Sequence, residues 1–208
     1  MDFGAPRLAA ALARLDPSGS ARQFCVALSG GLDSTVLLHA MAALRKPGSG
    51  MALRALHVDH GLQPESAGWA GSCRELCRRL DVPMELATLS LAPAAGASVE
   101  AEARDARYAA IAARLHPGEW LLTAHHRDDQ LETVLIQMLR GAGVAGLAAM
   151  PELAPLGHGW HARPLLGTDR TELAAYARQH GLAWVRDPMN DLERFDRGWL
   201  RTQVLPAI

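Results

Sequence analysis

Apolar residues follow two rhythms along this chain. Short runs rich in apolar residues at Phe24 to Leu28, Leu53 to Val58, Met84 to Leu89 and Trp120 to Thr123 have the length of strands, the first of them apolar throughout as in a buried strand. Longer stretches near 34–45, 66–80, 98–115 and 128–140 mix polar and apolar residues at helical spacing. The resulting βαβα order predicts an α/β fold. Parallel strands need crossover connections, and these are usually helices, so the expected architecture is a parallel sheet with helices on both faces. A ligand then belongs at the carboxyl ends of the strands.

Beyond Gly141 the pattern weakens. A short strand around Trp160 to Arg163, a helix from Asp169 to His180 and a strand over Ala183 to Arg186 are expected, the helix opened by Asp169 with Glu172 three residues on. Two loops rich in small residues, Arg45 to Gly50 and Ser90 to Ala97, read as flexible connectors, the second long enough for a mobile lid. There is no internal repeat.

At 208 residues the chain has room for one ample core, given roughly 100 to 200 residues per domain. Lys and Arg number 21 against 22 Asp and Glu, so no basic excess advertises a grip on nucleic acid, and an RNA partner would have to be held by local patches. Three cysteines, Cys25, Cys73 and Cys77, make a disulfide framework improbable and fit a reducing cytoplasm. The C-x-x-x-C pair of Cys73 and Cys77 reads as packing on an amphipathic helix in preference to a metal or redox pair. The start of the chain, with Arg7 and Arg14, lacks the apolar core of a signal peptide, and no stretch is long enough to span a membrane.

Between the first strand and the first of these helices stands Ser29-Gly30-Gly31-Leu32-Asp33-Ser34. Amides at a helix N-terminus are unpaired and the dipole there favours an anion, while glycine lets a phosphate approach the backbone. Ser29 and Ser34 add hydroxyl donors. Without a lysine the loop is not G-x-x-x-x-G-K-[ST], and its spacing is not G-x-G-x-x-G. Asp33 beside phosphates calls for a cation between them, which makes it a candidate magnesium ligand as well as a candidate cap.

Three further segments carry candidate chemistry. His57, Asp59 and His60 end the second strand, where shaping the wall of a nucleotide site is a better reading than zinc binding. Arg104 and Arg107 lie three apart on a helix and can point together at phosphates, or can pair with Glu100, Glu102 and Asp105 on a solvated face. His125 and His126 end the fourth strand, and Asp129 and Glu132 follow in the first turns of the next helix. Their carboxylates share a face toward the strand ends, where they can bind an amine, bind magnesium or take a proton; for Asp128, stabilising the helix start suffices.

The hexapeptide S-G-G-L-D-S resembles the pyrophosphate loop of the ATP pyrophosphatase superfamily (PP-loop, adenine nucleotide alpha hydrolase-like fold). With H-H-R-D-D-Q-L-E-T, the following R-G-A-G-V-A-G-L and the tail from Trp184 to Pro206, the chain resembles the tRNA(Ile)-lysidine synthetases from about residue 22 to 206. The resemblance implies an enzyme that uses ATP to adenylate the wobble cytidine of tRNA(Ile) with a CAU anticodon, after which L-lysine displaces AMP to form lysidine. It implies that Ser29, Gly30, Gly31, Leu32, Asp33 and Ser34 hold ATP with magnesium, that Asp129 and Glu132 receive lysine, and that Arg104 or Arg107 orients ATP or the adenylated base. It also places Arg140, Gly141, Gly143, Arg197 and Arg201 toward RNA. The family's R-N-x-x-R reads Arg197-Gly198-Trp199-Leu200-Arg201 here, so a side-chain amide is missing.

Family members usually continue into C-terminal domains that recognise the rest of the tRNA. Residues 1–208 are therefore expected to form the catalytic domain, with 189–208 beginning a helical linker, and with weak tRNA affinity for this chain by itself. Self-association into a homodimer is compatible with the sequence. A tRNA thiolase of the same superfamily is the runner-up enzyme, although the C-x-x-C pair of cytidine thiolases is absent; a nucleotide- or RNA-binding module without turnover is the alternative outside enzymes.

Overall fold

The computed structural model describes residues 2–59, 66–89, 99–143, 147–185 and 196–204. Six strands form one sheet: β1 (Gln23–Ala27), β2 (Ala52–Asp59), β3 (Met84–Thr88), β4 (Trp120–Leu122), β5 (Leu153–Leu156) and β6 (Gly159–Ala162). Their order is β3-β2-β1-β4-β6-β5. Five strands are parallel, with Val26 in register with Ala55 on one side and Leu122 on the other, and Leu122 in turn with Ala162. Only β5 runs antiparallel, at the edge, where Pro155 can sit because its missing N–H is needed by no outer neighbour.

Each predicted strand before Gly141 forms within a residue or two of its expected bounds. The helices form within three residues of theirs: α2 (Leu32–Leu44), α3 (Ser66–Arg79), α4 (Val99–Ala112), α5 (Arg127–Leu139) and, later, α6 (Arg170–Gln179). Three results depart from the sequence reading. A helix α1 (Ala5–Leu15) precedes the sheet, with proline in its first turn; Leu8, Leu12 and Leu15 lie on the core side. Strand β5 makes a hairpin with β6 that the sequence reading lacks, and the start of β6 lies so close to the chain entering β4 that a Cβ on Gly159 would come within 2.1 Å of the Glu119 carbonyl. Ala183 to Val185 forms no strand: among the described residues its sheet-like bond, Val185 N–H to the Gly30 carbonyl at 2.9 Å, runs to a turn instead of to a strand. The expected lid, Ser90 to Ala97, lies outside the described residues.

Helices α1, α2, α3 and α6 cover one face of the sheet and α4 the other, where Ile111 meets Cys25, Leu56 and Leu121. Between β1 and β2, α2 is buried nearly all round, including Val36, Leu37, Leu38 and Met41. It docks on α6 through a hydrogen bond of 2.9 Å between His39 Nδ1 and the Tyr176 hydroxyl, and the Phe3 ring meets Tyr176 edge-on at 5.3 Å. All three cysteines are free and buried. Burial pushes the Cys25 and Cys73 thiols up to about 12 and Cys77 to about 11, so all three stay protonated as packing groups. No helix among the described residues is long and apolar enough to cross a membrane.

At the amino end of the sheet one ion pair is buried. Arg54 on β2 donates to both carboxylate oxygens of Glu119 at 2.8 Å, and Glu119 is 2% exposed. Arg54 also meets Glu85 at 2.9 Å. Burial pushes the Glu119 carboxyl up, but the hydrogen bonds from Arg54 and from the His116 amide outweigh it and hold the group below its usual value. A depressed carboxyl stabilises the fold above its unfolded-state value, near 4.3, and the contribution is lost as pH falls through the folded value. Glu119→Ala should cost about 2 kcal/mol at neutral pH, because a largely covered guanidinium, its side chain 16% exposed, loses its main partner and keeps only Glu85. The gap between variant and wild type in urea unfolding should narrow below about pH 4; a constant gap would remove the charge of Glu119 as its source.

Candidate active site

The strand order creates one place for a ligand. From β1 the chain steps outward to β2 and β3, then returns through α4 to the far side of β1 and forms β4. The segments leaving β1 and β4 therefore diverge, and a crevice opens between their carboxyl ends. The turn after β1 is Ser29 to Gly31, and the segment after β4 holds His125 and His126.

The turn is built largely by its own polar groups. Ser34 Oγ lies 3.0 Å from Ser29 Oγ, accepts the Ser29 N–H at 3.2 Å and donates to the Gly31 carbonyl at 3.1 Å. Ser29 Oγ accepts the Gly31 N–H at 3.3 Å. The serine hydroxyls, expected from sequence to serve as ligand donors, thus first hold the turn in shape. Gly30 has φ +87°, where a side chain is strained, and an added Cβ would press on Cys73 Sγ at 3.1 Å. Gly31 takes the N-cap position of α2 and has no side chain to cap the first-turn amides, which leaves that end suited to an anion. Leu32 anchors the first turn in the core.

Across the crevice His126 is 2% exposed and stands at the start of α5. Its Nε2 lies 3.7 Å from Asp33 Oδ2 and 3.5 Å from Asp129 Oδ2. Asp129 Oδ2 also accepts the His126 backbone N–H at 2.9 Å, so this carboxylate fixes the helix start while facing the crevice. One imidazole thereby gathers a carboxylate from each side of the switch point. Glu132, one turn later, is 1% exposed. The start of α5 is itself tied to α6, since the Arg127 N–H donates to the Thr168 carbonyl at 3.0 Å and its guanidinium pairs with Asp169 at 2.8 Å.

The structure brings together Ser29 to Ser34, Asp33 and Asp129, and sets Glu132 on the same helix as Asp129. His57 is buried and donates from Nδ1 to the Leu28 carbonyl at 2.7 Å, so it braces the root of the turn. His60 lies outside the described residues. Arg107 is on α4, its guanidinium 5.6 Å from the neighbouring Tyr108 ring. Arg104 is on α4 as well, Arg197 on α7 (Asp196–Trp199), and Arg201 on a π-turn (Leu200–Val204), but the side chains of all three lie outside the described residues. Arg140 and Gly141 are exposed where α5 ends, Gly141 with φ +71°; Gly143 is exposed as well, and Leu139, the last residue of α5, is 70% exposed. A cavity of about 570 Å³ reaches Gly30 from the α3 side, lined among others by Ser72, Cys73, Glu75 and Trp184, but none of His126, Asp129 or Glu132 borders it.

Sequence reasoning missed His126 as the bridge. It also missed Thr123, His161 and Arg163, which are buried at the carboxyl ends of β4 and β6. Their signal was present: polar residues at the end of an otherwise apolar strand.

A family model described as a PP-loop domain of the ATP-binding type matches residues 5–208. The tRNA(Ile)-lysidine synthase of Pseudomonas syringae pv. tomato is 54% identical over 197 residues, 95% of this chain and 44% of that protein. The enzyme of the same name from Pseudomonas aeruginosa is 52% identical with the same coverage. The chain thus spans less than half the length of these relatives. Among solved structures, the U34-tRNA thiolase NcsA from Methanococcus maripaludis with its [4Fe-4S] cluster superimposes with a TM-score of 0.75 over 94% of this chain and 69% of that one. At 17% identity that likeness speaks to the fold alone. With the match running from α1 to the end of the sequence, and the loop and switch point where such a fold binds nucleotide, the chain belongs to the PP-loop domain family.

Proposed function

We propose that this chain carries the catalytic centre of a tRNA(Ile)-lysidine synthase. ATP binds at the switch point with its terminal phosphates on the Ser29 to Ser34 turn, the wobble cytidine of tRNA(Ile) with a CAU anticodon is adenylated through O2, and L-lysine displaces AMP. The observation that carries this reading is the meeting of Asp33 and Asp129 at His126 Nε2, which places a loop carboxylate and a helix carboxylate on opposite walls of one crevice.

The donor set suits magnesium. Among the described residues no three or more His, Cys, Asp or Glu side chains are arranged to hold a metal ion by themselves, and Asp33 is a half-buried oxygen donor beside the phosphate turn. A hard cation held by one or two carboxylates and completed by phosphate oxygens and water is the usual arrangement for magnesium with a nucleotide. Bound there through Asp33, the ion would offset charge on the α-phosphate and the departing pyrophosphate.

The remaining work falls to this chain's own groups. First-turn amides of α2 receive the pyrophosphate as it leaves, and the preformed turn needs no reorganisation at that moment. Asp129 and Glu132 orient the lysine side of the reaction: a buried carboxylate holds an ammonium strongly, then helps remove the proton the amine must lose before attack. Arg104, one helical turn before Tyr108, and Arg107 supply positive charge from α4. Arg140 to Gly143, Arg197 and Arg201 lie toward the anticodon loop, and residues 189–208 lead out of the catalytic domain.

The direct test is mass spectrometry of nucleosides from tRNA(Ile) incubated with this chain, ATP and lysine. The wobble cytidine should gain the mass of lysine less one water, and an unmodified cytidine would reject the proposal. Asp33→Ala should cut pyrophosphate release by about 100-fold, the scale of losing one transition-state charge partner, without shifting the unfolding midpoint; undiminished release would take Asp33 out of the mechanism. Glu132→Gln should raise the KM for lysine on the order of 100-fold while adenylation persists, and equal loss of both steps would count against amine binding.

A further inference from the structure

Neighbouring strands β4 and β6 both end in polar residues that a doubly covered sheet excludes unless they are hydrogen-bonded. Thr123, His161 and Arg163 are 8%, 4% and 8% exposed. They form one line. Arg163 Nη2 lies 3.1 Å from His161 Nδ1, His161 Nε2 lies 2.8 Å from Thr123 Oγ1, and Thr123 Oγ1 lies 2.9 Å from His125 Nδ1. Arg163 is anchored by donating from Nη1 to the Pro151 carbonyl at 2.6 Å, and the Tyr108 ring packs on His161 with centroids 5.4 Å apart.

The chemistry of the first donor orients the whole line. A guanidinium only donates, so His161 Nδ1 accepts and carries no proton. The ring proton of His161 is then on Nε2 and is donated to Thr123 Oγ1. A threonine hydroxyl has one proton of its own, and in a side chain 8% exposed that proton needs an acceptor, which the structure supplies at His125 Nδ1. His125 Nδ1 is an acceptor, which leaves the His125 ring proton on Nε2.

We propose that Arg163, His161 and Thr123 are positioning residues that hold His125 as the Nε2–H tautomer, so that it meets a substrate oxygen as a hydrogen-bond donor and does not act as a base. The tautomer stands on the geometry alone; the contact with substrate rests on the proposed function. For His125 to take a second ring proton, the Thr123 hydroxyl would have to turn its own proton away from Nδ1 and accept there instead, which disfavours His125 as the base and leaves Asp129 or Glu132 for the lysine ammonium.

Ring-nitrogen NMR of histidine-labelled protein at mildly alkaline pH reads this directly, with His125 assigned by its loss in His125→Asn. The expected spectrum shows His125 protonated on Nε2 alone. Thr123→Val should turn it into an averaged mixture of tautomers and Thr123→Ser should restore the wild-type pattern. A wild-type His125 protonated on Nδ1, or a pattern unchanged by Thr123→Val, would overturn the assignment. If Thr123→Val does not fold, the wild-type spectrum and Thr123→Ser still decide. In turnover, Thr123→Val should lower kcat about tenfold with the KM for ATP unchanged, in line with losses seen when an orienting partner is removed. A shifted tautomer with undiminished kcat would overturn the donor role, whereas wild-type protein that forms no lysidine would count against the proposed function and leave the tautomer in place.

Discussion

The point where the strand order turns back on itself governs the rest of this molecule. Because β1 and β4 are hydrogen-bonded neighbours whose following segments part company, two chain segments far apart in sequence face each other across a gap that no side chain of the sheet can fill. His126 spans that gap between Asp33 and Asp129. The imidazole is buried while Asp33 stays partly exposed, so this polar cluster is open to solvent from the Asp33 side. The burial of α2, the tie from α5 to α6 and the bracing of Leu28 by His57 all keep the two walls at that separation.

The sheet and its central helices were legible because burial on both faces demands continuous apolar strands, and this chain writes them plainly at Val26, Leu56 and Leu122. The same logic explains the omissions. Helix α1 was overlooked in a segment weighed only as a leader, although Leu8, Leu12 and Leu15 repeat at helical spacing after an early proline. The strand expected at Ala183 to Arg186 is not formed over its described part, Ala183 to Val185, because a short apolar run says that a segment is half covered, and says nothing of whether its partner is a strand or a turn.

The site was legible to a different depth on each wall. The turn after β1 announces itself, since two glycines and an aspartate between a strand and a helix break an otherwise apolar stretch. That Ser29 and Ser34 bond to one another, and that His126 links the two acids, are facts of three dimensions. The line from Arg163 to His125 was least visible, because Thr123 and His161 are 38 residues apart and meet only through the pairing of β4 with β6. Glu119 carries a parallel lesson at the opposite end of the sheet, where a charged residue beside Trp120 gave no hint of its burial against Arg54.

The bond from the Val185 amide to the Gly30 carbonyl joins main chain to main chain. Any residue but proline can supply that amide, so position 185 can drift in size and polarity across generations while the tether persists. A connection that holds the loop's most unusual peptide in place thus leaves little trace in residue identity, and its inheritance can be followed only through shape.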